Sequence, residues 1–153
     1  PMPSFSPTPV ASSLAPMRFL LVDDDESIIL FLRTFLSAYA ECITASTGLE
    51  AVAAYEAALD EDRPFAAVFM DILLPGMDGN MVVQELRRIE EARPGRREPF
   101  KLIMISVLTD TRHVSESFFH GRADAYLPKP LRRETLIAEL VKLGLIELQP
   151  APA

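Results

Sequence analysis

Five short apolar runs, at residues 19–22, 42–45, 66–70, 102–105 and 125–127, are separated by longer stretches with helical spacing. A strand with one face in water alternates apolar and polar residues, whereas a strand apolar throughout needs cover on both faces. Between the runs, Ile28, Leu32 and Phe35 share one helical face, as do Val82, Leu86 and Ile89, and Leu136, Leu140 and Leu143. Five such strands alternating with five helices predict an α/β fold, a parallel sheet with helices on both sides. The stretch Thr47-Gly-Leu-Glu50 has the form of a capping box opening the second helix. Thr109 or Asp110 is placed to cap the fourth. The longest irregular insert, RPGRREP at 93–99, is a loop between the third helix and the fourth strand. There is no internal repeat.

A chain of 153 residues suits one domain with a single packed core. Residues 1–16 carry no charge and are rich in Pro, Ser and Thr, so they are expected to form a disordered arm. The folded domain is expected over 17–146, with 147–153 a second disordered end. The balance of 15 Lys+Arg against 22 Asp+Glu, a net −7, argues against nonspecific binding to nucleic acid or anionic membrane. The apolar runs fall far short of a bilayer span and no signal peptide is visible. The single cysteine, Cys42, excludes an intramolecular disulfide framework and reads as a small apolar strand residue. These features together predict a cytoplasmic protein.

In open parallel sheets, function collects at the carboxyl ends of the strands. The first strand runs into LVDDDES and delivers Asp23, Asp24 and Asp25. The third delivers Asp71, the fourth Ser106, and the fifth Pro128, Lys129 and Pro130. Adjacent carboxylates repel one another and are costly to desolvate, so their convergence needs compensation. A divalent cation supplies it, since Mg²⁺ prefers carboxylates, waters and phosphate oxygens. An aspartate can itself be a nucleophile, forming an aspartyl phosphate, while metal, lysine and hydroxyl neutralise the transferring oxygens. Taken singly, these residues are ordinary: Asp25 reads best as a helix cap, Asp78-Gly79 as a turn, and a lone Lys or Ser in a loop usually does nothing. Their joint placement after strands one, three, four and five points to a metal-assisted phosphoryl site.

The segments VDDDES, MDILLPGMDG, Ser106 within IMISVLTD, and ADAYLPKP also carry a resemblance. In order and spacing they resemble two-component response-regulator receiver domains, over nearly all of residues 17–145. The resemblance implies a flavodoxin-like doubly wound (βα)5 fold, with a five-stranded parallel sheet in the order 2-1-3-4-5. It implies that Asp71 accepts a phosphoryl group from a sensor histidine kinase or histidine phosphotransferase. Asp24, Asp71 and the backbone carbonyl of Leu73 are then expected to bind Mg²⁺ directly, and Asp23 through a water. Lys129 is expected to pair with the phosphoryl oxygens, and Lys129–Pro130 to be a cis peptide. Ser106 and Tyr126 are expected to form the switch pair, the aromatic ring following the hydroxyl inward. On this reading the chain is a signalling phosphoacceptor rather than an enzyme, with only self-phosphorylation from donors and slow autodephosphorylation.

Two departures from the family pattern bear on kinetics. Val107 stands where a small residue is usual after the switch hydroxyl, and its bulk is expected to narrow access to Asp71. Leu73 and Leu108 are apolar where a polar side chain can orient an attacking water, hence the expectation of slow autodephosphorylation. The ending LGLIELQPAPA resembles stand-alone single-domain receivers, the alternative being a receiver excised from a hybrid histidine kinase. A homodimer or a downstream protein is expected on the face built from the fourth helix, fifth strand and fifth helix, with no direct nucleic-acid or membrane partner. His113 and His120 are expected at the surface, and Val114, Phe118 and Phe119 mostly in the helix core.

Three other readings compete. A Mg²⁺-dependent phosphohydrolase of this topology places its nucleophile after the first strand in a D-x-D arrangement, whereas here adjacent acids occupy that place. A binding-only degenerate receiver finds support only in Val107, because Asp24, Asp71, Ser106 and Lys129 are all present. A flavin-binding domain wants a Gly- or Ser/Thr-rich phosphate loop after strand one, and VDDDES repels phosphate without a metal.

Overall fold

The computed structural model describes residues 5–9, 16–95, 97–107 and 123–150. In chain order the elements are β1 (Phe5–Pro9), β2 (Arg18–Val22), α1 (Glu26–Leu36), β3 (Glu41–Ala45), α2 (Gly48–Asp60) and β4 (Ala67–Asp71). They continue with α3 (Gly79–Ala92), β5 (Lys101–Val107), β6 (Ala125–Lys129), α4 (Arg133–Lys142) and β7 (Ile146–Pro150). The central sheet is parallel, in the order β3-β2-β4-β5-β6, which is 2-1-3-4-5 for the five strands read from the sequence. The fourth helix expected from the sequence, with Leu108, Thr109, Asp110, His113, Val114, Phe118, Phe119 and His120, lies outside the described residues.

Every residue of β2 and β4 is buried, as continuous apolar runs require in a sheet covered on both faces. Successive side chains of a strand point to opposite faces, so each central strand feeds two cores. Leu20, Val22, Val68, Met70, Leu102 and Met104 pack on one side with Tyr55 of α2 and Leu86 of α3. Phe19, Leu21, Phe69, Ile103 and Ile105 pack on the other with Leu32 of α1 and Leu136 of α4. Edge strand β3 departs from the expected apolar pattern. Thr44 is exposed there, and Cys42 and Ile43 are half-buried, because only one neighbouring strand covers it.

The helix starts follow side-chain chemistry. Asp25 caps α1, its Oδ1 accepting from the Ser27 backbone N–H at 2.9 Å. At α2, Thr47 Oγ1 accepts from the Glu50 N–H at 3.1 Å. The reciprocal bond closes one residue earlier than a capping box does, Glu50 Oε2 accepting from the Ser46 N–H at 2.7 Å. Asp78, read as part of a turn, caps α3 by accepting from the Asn80 N–H at 2.8 Å.

Parts of both end segments lie in a ladder. Residues 5–9 of the arm pair antiparallel with 146–150, so the ladder takes in four residues of the segment 147–153. The composition argument weighs side-chain burial, whereas this ribbon is held by backbone bonds. Pro7, Pro9 and Pro150 fall on one parity of the register, opposite Leu148, Ile146 and Phe5. In an antiparallel pair every second residue points its N–H away from its partner, so prolines spaced by two cost the ladder no bond.

Candidate functional site

Parallel register sets the site. Val22 lies beside Met70, so the next residues, Asp23 and Asp71, stand level at the ends of neighbouring strands. Asp71 in turn lies beside Ile105, one residue before Ser106, and Val107 lies beside Lys129. Carboxylate oxygens of Asp23, Asp24 and Asp71 all fall within 4.8 Å of one another. Three consecutive acids thus meet three fates. Asp23 is 1 % exposed, Asp24 is exposed, and Asp25 turns away to cap α1. A cleft of about 640 Å³ opens beside them, lined by Ile29 and Arg33 of α1, by Thr44 of β3, and by Ser46 and Glu50 around the start of α2.

The two buried acids share one cation. Lys129 Nζ lies 3.4 Å from Asp23 Oδ2 and 3.7 Å from Asp71 Oδ2. The other oxygens meet backbone: Asp23 Oδ1 accepts from the Asp25 N–H at 2.9 Å, and Asp71 Oδ1 from the Leu73 N–H at 3.2 Å. Burial, then the neighbouring Asp23 charge, push the Asp71 carboxyl up to about 7, against the pull of Lys129. Burial likewise raises Asp23. One ammonium does not balance two desolvated carboxylates.

These residues suit Mg²⁺. The donor set is all hard oxygen, the pocket carries excess negative charge, and the buried Asp23 Oδ2, though 3.4 Å from the Lys129 ammonium, accepts no well-formed hydrogen bond among the described residues. Lys129 reaches the pair from the end of β6, where Lys129–Pro130 is cis. Ser106 is 1 % exposed, its hydroxyl donating to the Val107 carbonyl at 3.3 Å. Tyr126 is half-buried against the core shared with α2 and α3. Leu73 and Val107 are exposed at the rim, 51 % and 42 %.

Gly79 is a site-forming residue that its reading as half of a turn missed. Its N–H donates to the Ile72 carbonyl at 2.7 Å. A Cβ there would stand 2.2 Å from the Asp71 carbonyl oxygen and 2.9 Å from Ile72 Cα. The signal in the sequence is a glycine directly after a capping aspartate, where backbone must approach backbone.

The family model of the response regulator receiver domain matches residues 19–141. The chain belongs to this family. Sensor protein GacS of Pseudomonas syringae pv. syringae is 31 % identical over 146 residues, covering 94 % of this chain and 15 % of the relative. Response regulator MprA of Mycolicibacterium vanbaalenii is 35 % identical over 128 residues, covering 82 % of this chain and 49 % of the relative. The chain therefore spans less than half the length of either. Among solved structures, chemotaxis protein CheY4 of Vibrio cholerae superposes with a TM-score of 0.70 at 27 % identity, covering 84 % of this chain and 98 % of that one. Receiver domains of two-component systems take phosphoryl groups from histidine kinases and bind Mg²⁺ at an acidic pocket, and this receiver carries such a pocket in Asp23, Asp24 and Asp71. Among the described residues, no helix is long and apolar enough to cross a membrane.

Proposed function

We propose that this receiver is the phosphoacceptor of a two-component phosphorelay and that Asp71 is the residue phosphorylated. The observation that carries the reading is the buried Asp71 carboxylate, level with Asp23 and 3.7 Å from Lys129 Nζ. In the transfer, an Asp71 oxygen attacks the phosphorus of a phosphohistidine on a sensor kinase or histidine phosphotransferase. The P–N bond breaks, its electron pair stays on the imidazole nitrogen, and an aspartyl phosphate forms. Lys129, already held between the two carboxylates, pairs with the incoming phosphoryl oxygens.

Asp24, Asp71 and the Leu73 carbonyl would hold Mg²⁺ directly, with Asp23 acting through a water. The bound cation would supply charge neutralisation at the phosphoryl oxygens. The Ser106 hydroxyl leaves the Val107 carbonyl for a phosphoryl oxygen, and Tyr126 moves inward behind it, a local charge change biasing a two-state element. The chain turns over no free substrate beyond its own phosphorylation and slow autodephosphorylation. Its partners are the phosphodonor and a downstream protein that reads the switched surface.

Intact mass after incubation with acetyl phosphate and Mg²⁺ tests this. One added phosphoryl group that needs Mg²⁺ and is absent from Asp71→Asn is expected. A gain undiminished by Asp71→Asn contradicts the assignment.

A further inference from the structure

We propose that the edge of β7 is an exchangeable docking edge for the segment Phe5–Pro9, and that its alternative occupant is the same segment of a second copy of this chain. The two strands of the ribbon differ sharply in how they are anchored. Ile146, the first residue of β7, is 1 % exposed and packs in the core with Leu136, Leu140 and Leu145. β7 also packs against α4, whereas β1 makes its extensive contacts with β7 alone. β7 is therefore fixed to the domain whether or not β1 is present, and β1 is held by the ladder.

The register shows how slight that hold is. Five residues pair on each strand, but Pro7, Pro9 and Pro150 have no N–H, which leaves Ser6 with Gln149 and Thr8 with Glu147 as the pairs that exchange both backbone bonds. Two such pairs must offset the ordering of five residues, and an isolated two-stranded ribbon is marginal in water. The same bonds form whichever copy supplies the strand, so exchange between copies loses none of them. Swapping an identical element is a low-cost route to a dimer.

The prolines also limit the assembly. Residues 5, 7 and 9 of β1 face away from β7, and two of these three lack a donor, so the outer edge of β1 is a poor template for a further strand. The ribbon is therefore not extended by a third strand at that edge. This interface lies apart from the phosphorylation site, which occupies the opposite, carboxyl ends of the sheet strands.

A cysteine pair placed on the register tests the proposal. In a Cys42→Ser background, Ser6→Cys and Gln149→Cys stand opposite each other at the Cα spacing of an antiparallel pair, within disulfide range. The reduced protein is equilibrated at several concentrations, oxidised, and separated without reductant. A disulfide-linked monomer is expected in dilute protein, and a disulfide-linked dimer whose ratio to monomer rises about tenfold for a tenfold rise in free monomer. Mixing with a tagged copy before oxidation is expected to give the mixed dimer. A dimer ratio independent of concentration overturns the exchange. Absence of any disulfide overturns the ladder itself. Equal dimerisation of Ser6→Cys alone overturns it too, because surface collision then accounts for the product.

Discussion

Replacing Asp71 by asparagine is expected to make the metal-free protein more stable at pH 8, although it removes a residue at the heart of the site. Asp71 is 3 % exposed beside Asp23, and its carboxyl is pushed from an ordinary 3.8 to about 7, first by burial and then by the Asp23 charge. An acid whose folded value is raised contributes stability that is fully present below its unfolded value and is lost as pH rises through the folded value. For Asp71 the loss runs between about pH 4 and pH 7 and is complete at pH 8. At about 1.4 kcal/mol for each unit, the ceiling is about 4 kcal/mol. Asp23 and Asp71 titrate as a pair sharing Lys129, so about 2 kcal/mol is the expected gain for Asp71→Asn. In a domain of this size that is roughly 4–8 °C in Tm. Urea and thermal unfolding in EDTA at pH 8 and pH 4.5 measure it. The variant should exceed the unmodified protein at pH 8, the gap should narrow markedly at pH 4.5, and Mg²⁺ at pH 8 should stabilise the unmodified protein more. Equal stability at pH 8, or a weaker variant, refutes the reasoning that the pair is under electrostatic load.

Other consequences follow from the same geometry. Mg²⁺ binding needs Asp71 ionised, so by isothermal titration its Kd should rise about tenfold per pH unit below 7, and a Kd constant between pH 5 and 7 contradicts the raised Asp71 value. Gly79→Ala puts a Cβ 2.2 Å from the Asp71 carbonyl oxygen and should cost more than about 2 kcal/mol of folding stability by urea unfolding; a loss under about 0.5 kcal/mol means that the α3 start yields easily. Val107 is exposed at the rim, and Val107→Ala should speed phosphorylation by acetyl phosphate in stopped-flow or mass measurements, whereas an unchanged rate removes Val107 as an access barrier. In the sequence, apolar Leu73 stands two residues past Asp71 and apolar Leu108 two past Ser106, so an aspartyl phosphate at Asp71 should decay slowly, and loss within seconds contradicts that.

The central architecture was legible because its signals are local. Runs such as those in β2 and β4 are apolar along their whole length, which only a doubly covered sheet explains. The convergence of these side chains was legible because Asp23 follows β2 while Asp71, Ser106 and Lys129 fall at the ends of β4, β5 and β6, which a parallel sheet brings to one rim. What escaped the sequence depends on register or distance. Three aspartates in a row look alike until the pleat buries Asp23, leaves Asp24 in water and turns Asp25 to α1. Thr44 is exposed because β3 is an edge, which sheet order decides and hydropathy does not. The pairing of Phe5–Pro9 with Ile146–Pro150 joins segments far apart in the chain through backbone alone, and proline content argued against it. The step by which Glu50 bonds Ser46 rather than Thr47 is a matter of side-chain reach that the box spacing does not encode.

The most direct test of the account is the identity of the phosphorylated residue. The protein is incubated with acetyl phosphate and Mg²⁺, reduced with borohydride, which converts an aspartyl phosphate to homoserine, and mapped by peptide mass. Homoserine at position 71, with Asp23 and Asp24 unchanged, is the predicted result. Homoserine at Asp23 or Asp24 with Asp71 intact contradicts the claim that the buried carboxylate beside Lys129 is the acceptor.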